Sequence, residues 1–184
     1  MKKIFLFVIA LPLLACFISA CGEDESKTTW EEYSEWRTLN TDFLNKSASI
    51  SNPDGSAYYT RINPEWNPGT YILIHYFNDR SETAGNLTPM YTSKVSVKYK
   101  GTLYNDVPFD SSYTQVDSLF KTGLSNVIAG WQIALQNMHV GDTCEVLIPY
   151  EAGYGASGYS SIPPFSTLKF GIKLVDINSY EIRN

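Results

Sequence analysis

The chain has 184 residues, 43% hydrophobic and 14% aromatic, which is enough apolar side chain for one sizeable core and too much for a disordered chain. A formal charge of −5 excludes a basic nucleic-acid-binding face, so no nucleic-acid partner is expected. Two histidines, His75 and His139, do not suffice for a histidine-rich metal cluster, and no Walker motif, zinc signature or internal repeat is visible.

Lys2 and Lys3 precede an apolar run from Ile4 to Ile18 that ends in Ser19-Ala20-Cys21. The stretch resembles a bacterial lipoprotein leader, in which cleavage makes Cys21 the lipidated mature N-terminus. Cys16 is a second candidate, but Pro12 and the shorter run before it favour Cys21. The run also falls short of the roughly 20 apolar residues that a membrane-spanning helix needs. Residues 1–20 are therefore read as a signal peptide and 21–29 as a tether, acidic at Glu23, Asp24 and Glu25. The expected location is the cell envelope, at the outer membrane, facing the periplasm or the surface. Cys144 would then be the second and last cysteine of the mature chain, in an apolar segment that suits a buried thiol.

Trp30, Tyr33, Trp36, Leu39 and Phe43 recur at three- and four-residue spacing and predict a helix in an accessory segment spanning 30–56. Its stripe could dock on the following domain or face a partner. Residues 57–184 form the proposed main domain. Tyr58–Ile62 reads as a short strand, and Tyr71–Phe77, dominated by aromatic and β-branched residues, as a strong one with His75 half-buried in it. Asp79–Pro89 is polar and turn-rich. Val95, Val97 and Tyr99 alternate with Ser96, Lys98 and Lys100, giving a half-buried strand that continues to Leu103. Phe109 beside Asp110 could organise a pocket rim, or the carboxylate could simply brace a loop.

The period then changes. Val127, Ile128, Trp131, Leu135 and Met138 share one helical face within Asn126–Met138, with Asn126 placed to cap the start and Gly141 suited to a left-handed turn at the end. Trp131 could seal the core or floor a shallow pocket. Thr143–Pro149 resumes strand character, with Cys144, Val146 and Ile148 on one face. Tyr150–Ser166, rich in glycine and proline, is too long for a routine hairpin. Leu168, Phe170, Ile172 and Leu174 alternate with Lys169, Gly171 and Lys173, the clearest strand of the chain. Four convincing strands and one short helix predict an α+β fold, an antiparallel sheet wrapped around a central helix.

The segments Val97-Lys98-Tyr99-Lys100-Gly101-Thr102-Leu103, Phe109-Asp110-Ser111-Ser112, Val127-Ile128-Ala129-Gly130-Trp131, Tyr154-Gly155 and Ile162–Phe170 occur in one order. Together they resemble the FK506-binding-protein family of peptidyl-prolyl cis-trans isomerases over Tyr71–Ile177. The resemblance implies that Tyr99, Phe109, Trp131, Ile162 and Phe170 wall a proline pocket floored by Trp131. It implies that Asp110 orients its neighbours, that Val127 and Ile128 flank the floor with the Ile128 amide as a carbonyl donor, and that the Tyr154 hydroxyl reaches a substrate carbonyl. Asp117–Leu124 departs from the family pattern, keeping Phe120 and Gly123 but placing Ser118 among them. The implied activity is proline isomerisation during folding of exported proteins, with no metal or organic cofactor. Its partners would be proline-containing peptide segments, the membrane through the lipid, and a macrolide-like inhibitor in the pocket. The alternative is a non-catalytic peptide-binding or structural envelope lipoprotein on the same fold.

Overall fold

The computed structural model describes residues 27–179, so the leader, Cys21 and most of the acidic tether lie outside the described residues. Thr28 opens the first helix, α1 (Thr29–Glu32). Its hydroxyl and the Glu31 carboxylate reciprocally bond each other's backbone amides. The chain breaks at Tyr33 and restarts as α2 (Ser34–Ala48). Seven strands follow: β1 (Thr60–Ile62), β2 (Ile72–Tyr76), β3 (Lys94–Leu103), β4 (Pro108–Ser111), β5 (Phe120–Gly123), β6 (Thr143–Ile148) and β7 (Leu168–Ser179). One further helix, α3 (Ala129–Gln136), lies between β5 and β6.

All strand pairs are antiparallel, in the order β1-β2-β6-β7-β3-β4. The long β3 is shared: Lys94–Val97 pair with β5 and Lys100–Thr102 with β4, so two short strands lie in tandem along one edge. This is why β4 and β5 do not stand out in the sequence, which shows β2, β3, β6 and β7 clearly and β1 as a short strand. The period-2 pattern expected for β3 also breaks locally. Register shifts against β7 pass over Val175 and Asn178, and Ser96, expected on the outer face, is 2% exposed with its hydroxyl bonded to Asn178 Oδ1 at 2.8 Å.

The inner face of the sheet closes on α3. Ile72, Ile74, Val97, Val146, Ile148, Ile172 and Leu174 meet Trp131, Ile133, Leu135 and Met138 in one buried cluster. Gly130 permits this approach, because a Cβ there would lie 2.3 Å from Ile148 Cγ2. On the outer face Leu73 and Leu147 gather with Leu44 of α2 and Tyr59. Each such buried aliphatic side chain stabilises the fold by about 1.5–3 kcal/mol, so the accessory helix is held as a second layer.

Two expectations need correction. Leu39 and Trp30 are exposed, and the buried residues of α2 are Asn40, Leu44 and Ser47. The interruption at Tyr33 rotates the stripe, and polar contacts described below bury Asn40. The α3 helix also starts later than expected, at Ala129, with Ile128 at the cap position and no side-chain cap; Asn126 belongs to a preceding 3-10 turn, Leu124–Asn126. Gly141 has φ +100, but the helix has already ended at Asn137.

Candidate functional site

Where β3, β4 and β5 meet the start of α3, the sheet leaves an open cavity of about 490 Å³. All nine expected residues line it: Tyr99 from β3, Phe109 and Asp110 from β4, Val127, Ile128 and Trp131 from the entry to α3, Tyr154 and Ile162 from the long loop, and Phe170 from β7. Phe120, Asn126, Tyr159, Ser160 and Ser161 line it too. These five were absent from the expected set. Phe120 carried a signal, as the one aromatic residue retained in the divergent Asp117–Leu124 segment.

The floor is an edge-to-face aromatic nest. Trp131 is 3% exposed, and its ring lies 5.0 Å from Tyr99, 5.3 Å from Phe170 and 6.3 Å from Phe120, all within 4° of perpendicular. Phe109 meets Phe170 at 5.4 Å and 88°. Gly101 makes room for that pair, since a Cβ would stand 2.7 Å from both rings. Trp131 thus seals the core and floors the cavity at once. Phe120 closes the β5 side, so the Ser118 departure, a turn with φ +56, leaves that wall aromatic.

The polar groups are few and fixed. The Tyr99 hydroxyl donates to Asp110 Oδ2 at 2.5 Å, while Asp110 Oδ1 accepts the Ser111 amide. Burial, then the bond to Asp110 and its charge, push the Tyr99 phenol well above its ordinary value, so it stays protonated. Tyr154 stacks on Tyr159 at 4.9 Å and 13°, and burial followed by the neighbouring Tyr159 and Asp110 raises its phenol as well. The Ile128 amide donates to no described residue, and the helix start that it precedes lines the cavity. Ile162 is presented by a tight turn in which Tyr159 and Ile162 exchange backbone bonds of 2.9 and 2.8 Å. Gly158, at φ +67, allows it: a Cβ would fall 2.4 Å from Ile162 O.

Cys144, His75 and His139 do not line the cavity. Cys144 is buried beneath α3 against Met138, and burial, aided by the charges of Asp142 and Glu145, pushes its thiol up to about 12. His75 stacks on Tyr58 on the outer face, and His139 lies beside Arg80. Among the described residues no three His, Cys, Asp or Glu side chains are grouped to hold a metal ion. What the cavity offers is an apolar, aromatic hollow with isolated donors at its rim.

Residues 85–175, which contain every one of the nine, match the family described as FKBP-type peptidyl-prolyl cis-trans isomerase. The chain is 42% identical over 89 residues to the Escherichia coli (strain K12) FKBP-type peptidyl-prolyl cis-trans isomerase FkpA, covering 48% of this chain and 33% of that protein. It is 34% identical over 123 residues to mouse peptidyl-prolyl cis-trans isomerase FKBP4, covering 66% of this chain and 26% of that protein. It therefore spans about a third or less of the length of these curated relatives. The crystal structure of Escherichia coli FkpA superimposes with a TM-score of 0.65 at 26% identity, covering 81% of this chain and 62% of that one. A peptidyl-prolyl cis-trans isomerase from Pseudomonas syringae pv. tomato gives 0.64 at 26% identity, covering 80% and 96%. With fold, cavity and sequence in agreement, residues 85–175 carry the match to the FKBP-type peptidyl-prolyl cis-trans isomerase family.

Proposed function

We propose that the chain is a peptidyl-prolyl cis-trans isomerase that assists folding of exported or envelope proteins from a lipid-anchored position. The observation that carries this reading is the convergence of nine residues, from five separate parts of the chain, on one aromatic cavity. Rotation about an X–Pro bond is slow because the C–N bond has partial double-bond character, which the twisted transition state loses. The twisted amide is less polar, so a dry cavity shaped to the proline ring favours it, provided that the flanking carbonyls keep donors. Trp131, Phe109, Phe170, Tyr99 and Ile162 supply the walls in this reading. The Ile128 amide and the Tyr154 hydroxyl supply donors, and Asp110 holds Tyr99. The acceleration comes from differential binding, with no covalent step. The same cavity would take a macrolide-like inhibitor.

The anchor rests on the Ser19-Ala20-Cys21 sequence after its apolar run. In this reading residues 1–20 are removed, 21–29 form the tether, 30–56 an accessory helix and linker, and 57–184 the isomerase domain. The attachment is to the outer membrane, facing the periplasm or the surface. Among the described residues no helix is long and apolar enough to cross a membrane. The test is refolding of an exported protein whose slow phase is prolyl isomerisation. The chain should shorten that phase catalytically; binding of proline peptides without any shortening would instead support a non-catalytic peptide binder. For the anchor, labelled palmitate should enter the wild type and not Cys21→Ala, and equal labelling would move the attachment elsewhere.

A further inference from the structure

The loop between β6 and β7 contributes Tyr154, Tyr159 and Ile162 to the cavity, yet its regular structure is a single 3-10 turn, Tyr150–Ala152. Its own backbone bonds, Gly155 N–H to Tyr150 O, Phe165 N–H to Gly155 O and the Tyr159–Ile162 pair, close turns within the loop. Its far limb is held from outside, by α2. Asn40, 2% exposed, accepts the Thr167 amide on Oδ1 at 2.6 Å, and its backbone carbonyl accepts the Thr167 hydroxyl at 3.4 Å. One turn earlier the Trp36 indole N–H donates to Ser166 Oγ at 3.1 Å. Ser166 donates onward to the Pro163 carbonyl at 2.7 Å, directly beside Ile162.

A second observation points the same way. Phe165 lies at φ +60, a backbone region costly for a bulky residue and kept only where the surroundings enforce it. Its ring is 3% exposed, edge-on to Trp30 at 5.4 Å and to Tyr150 at 5.2 Å. Arg37 lies over Trp30 at 3.2 Å and bonds the Trp30 carbonyl, which fixes that ring in place. Part of the enforcement therefore comes from α1 and α2. Buried directional bonds specify a geometry that apolar adhesion alone leaves free.

We propose that α1 and α2 brace the cavity loop, with Trp36 and Asn40 acting as positioning residues for Tyr154 and Ile162. The inference rests on the isomerase reading of the cavity. Trp36→Phe keeps an aromatic ring and removes the indole donor; Asn40→Leu removes the side-chain acceptor for the Thr167 amide. Both variants are compared with the full chain by amide hydrogen exchange and by kcat and KM on a proline tetrapeptide. In Trp36→Phe, exchange at the Gly155, Ile162 and Phe165 amides should rise about fivefold, the loss of one ordinary net hydrogen bond, with the β3–β7 ladder keeping its protection. KM should rise by a similar factor, with kcat changing less. Unchanged loop exchange in Trp36→Phe, or a uniform rise across loop and sheet, overturns the brace, whether or not Asn40→Leu folds. Exchange is read without turnover. A wild type lacking isomerase activity therefore sinks the functional reading and leaves the brace to be judged on exchange alone.

Discussion

Gly101→Ala isolates the shape of the cavity wall from its chemistry. Gly101 sits in β3 between Asp110 of β4 and Phe170 of β7, so the backbone tolerates alanine and only space decides the outcome. The new methyl carbon would stand 2.7 Å from Phe109 Cε2 and from Phe170 Cε1, and 2.8 Å from Phe109 Cζ. Carbon atoms rest at about 3.5–4.0 Å, so the two rings must retreat by roughly 0.8 Å or more. They meet each other edge-to-face, and Phe170 is also edge-on to Trp131, so the retreat carries into the cavity and its floor. Overpacking of this kind costs about 1–3 kcal/mol of stability, measured by urea unfolding. A misplacement near 1 Å in a fitted site costs up to about 100-fold in rate. The expected result is a folded protein whose kcat/KM for prolyl peptides falls at least tenfold. A folded variant with wild-type kcat/KM would refute the reasoning that these two rings set the pocket.

Other outcomes follow from the same geometry. Tyr154→Phe removes one hydroxyl at the rim and should lower kcat/KM by about five- to tenfold with little change in unfolding, the worth of one hydrogen bond to the substrate; unchanged turnover would remove Tyr154 from the site. Trp131→Ala, by contrast, should cost about 3–5 kcal/mol as well as activity, because the ring is core and floor together. Burial is the largest influence on Asp142 and raises its carboxyl, but bonds from Thr83, the His139 amide and Asn78, with the Arg80 charge, outweigh it and hold the group below its usual value. A carboxyl lowered in the folded state contributes stability that is present above its unfolded value and lost as pH falls through the folded one. Asp142→Asn should therefore be less stable at pH 7 and lose less stability below about pH 4; parallel acid-unfolding curves would contradict that. Cys144, raised to about 12, should resist alkylation at pH 8 until the protein unfolds, and rapid labelling of the native state would contradict its burial.

The elements that stood out in the sequence are those whose pattern is complete within themselves. Leu168–Leu174 alternates cleanly and buries one face on α3; Val95–Tyr99 alternates in sequence too, although a register shift against β7 buries Ser96 as well. The short β4 and β5 did not, because what makes them strands is the length of β3, which offers both of them the same edge. The docking face of α2 was misplaced for a different reason: Asn40 and Ser47 are buried polar residues, and Asn40 owes its burial to Thr167, 127 positions away. Hydropathy spacing sees no partner at that distance. Around the cavity, ordered motifs brought out the nine residues, Tyr154 and Ile162 of the long loop among them, whereas Tyr159, Ser160 and Ser161 fall between those motifs, in a turn allowed by Gly158. Asn126 lines the cavity and does not cap α3, because it ends a 3-10 turn and Val127 and Ile128 separate it from the helix start at Ala129.

The central claim is that the cavity accelerates rotation about an X–Pro bond. It is tested most directly by exchange spectroscopy of a proline tetrapeptide, which reads cis-trans interconversion at equilibrium without a coupled reaction. With a sub-stoichiometric amount of the full chain, the exchange rate should rise in proportion to protein concentration and fall back when a macrolide occupies the cavity. An exchange rate that stays at its uncatalysed value, for a folded chain and across several residues preceding proline, would contradict the account.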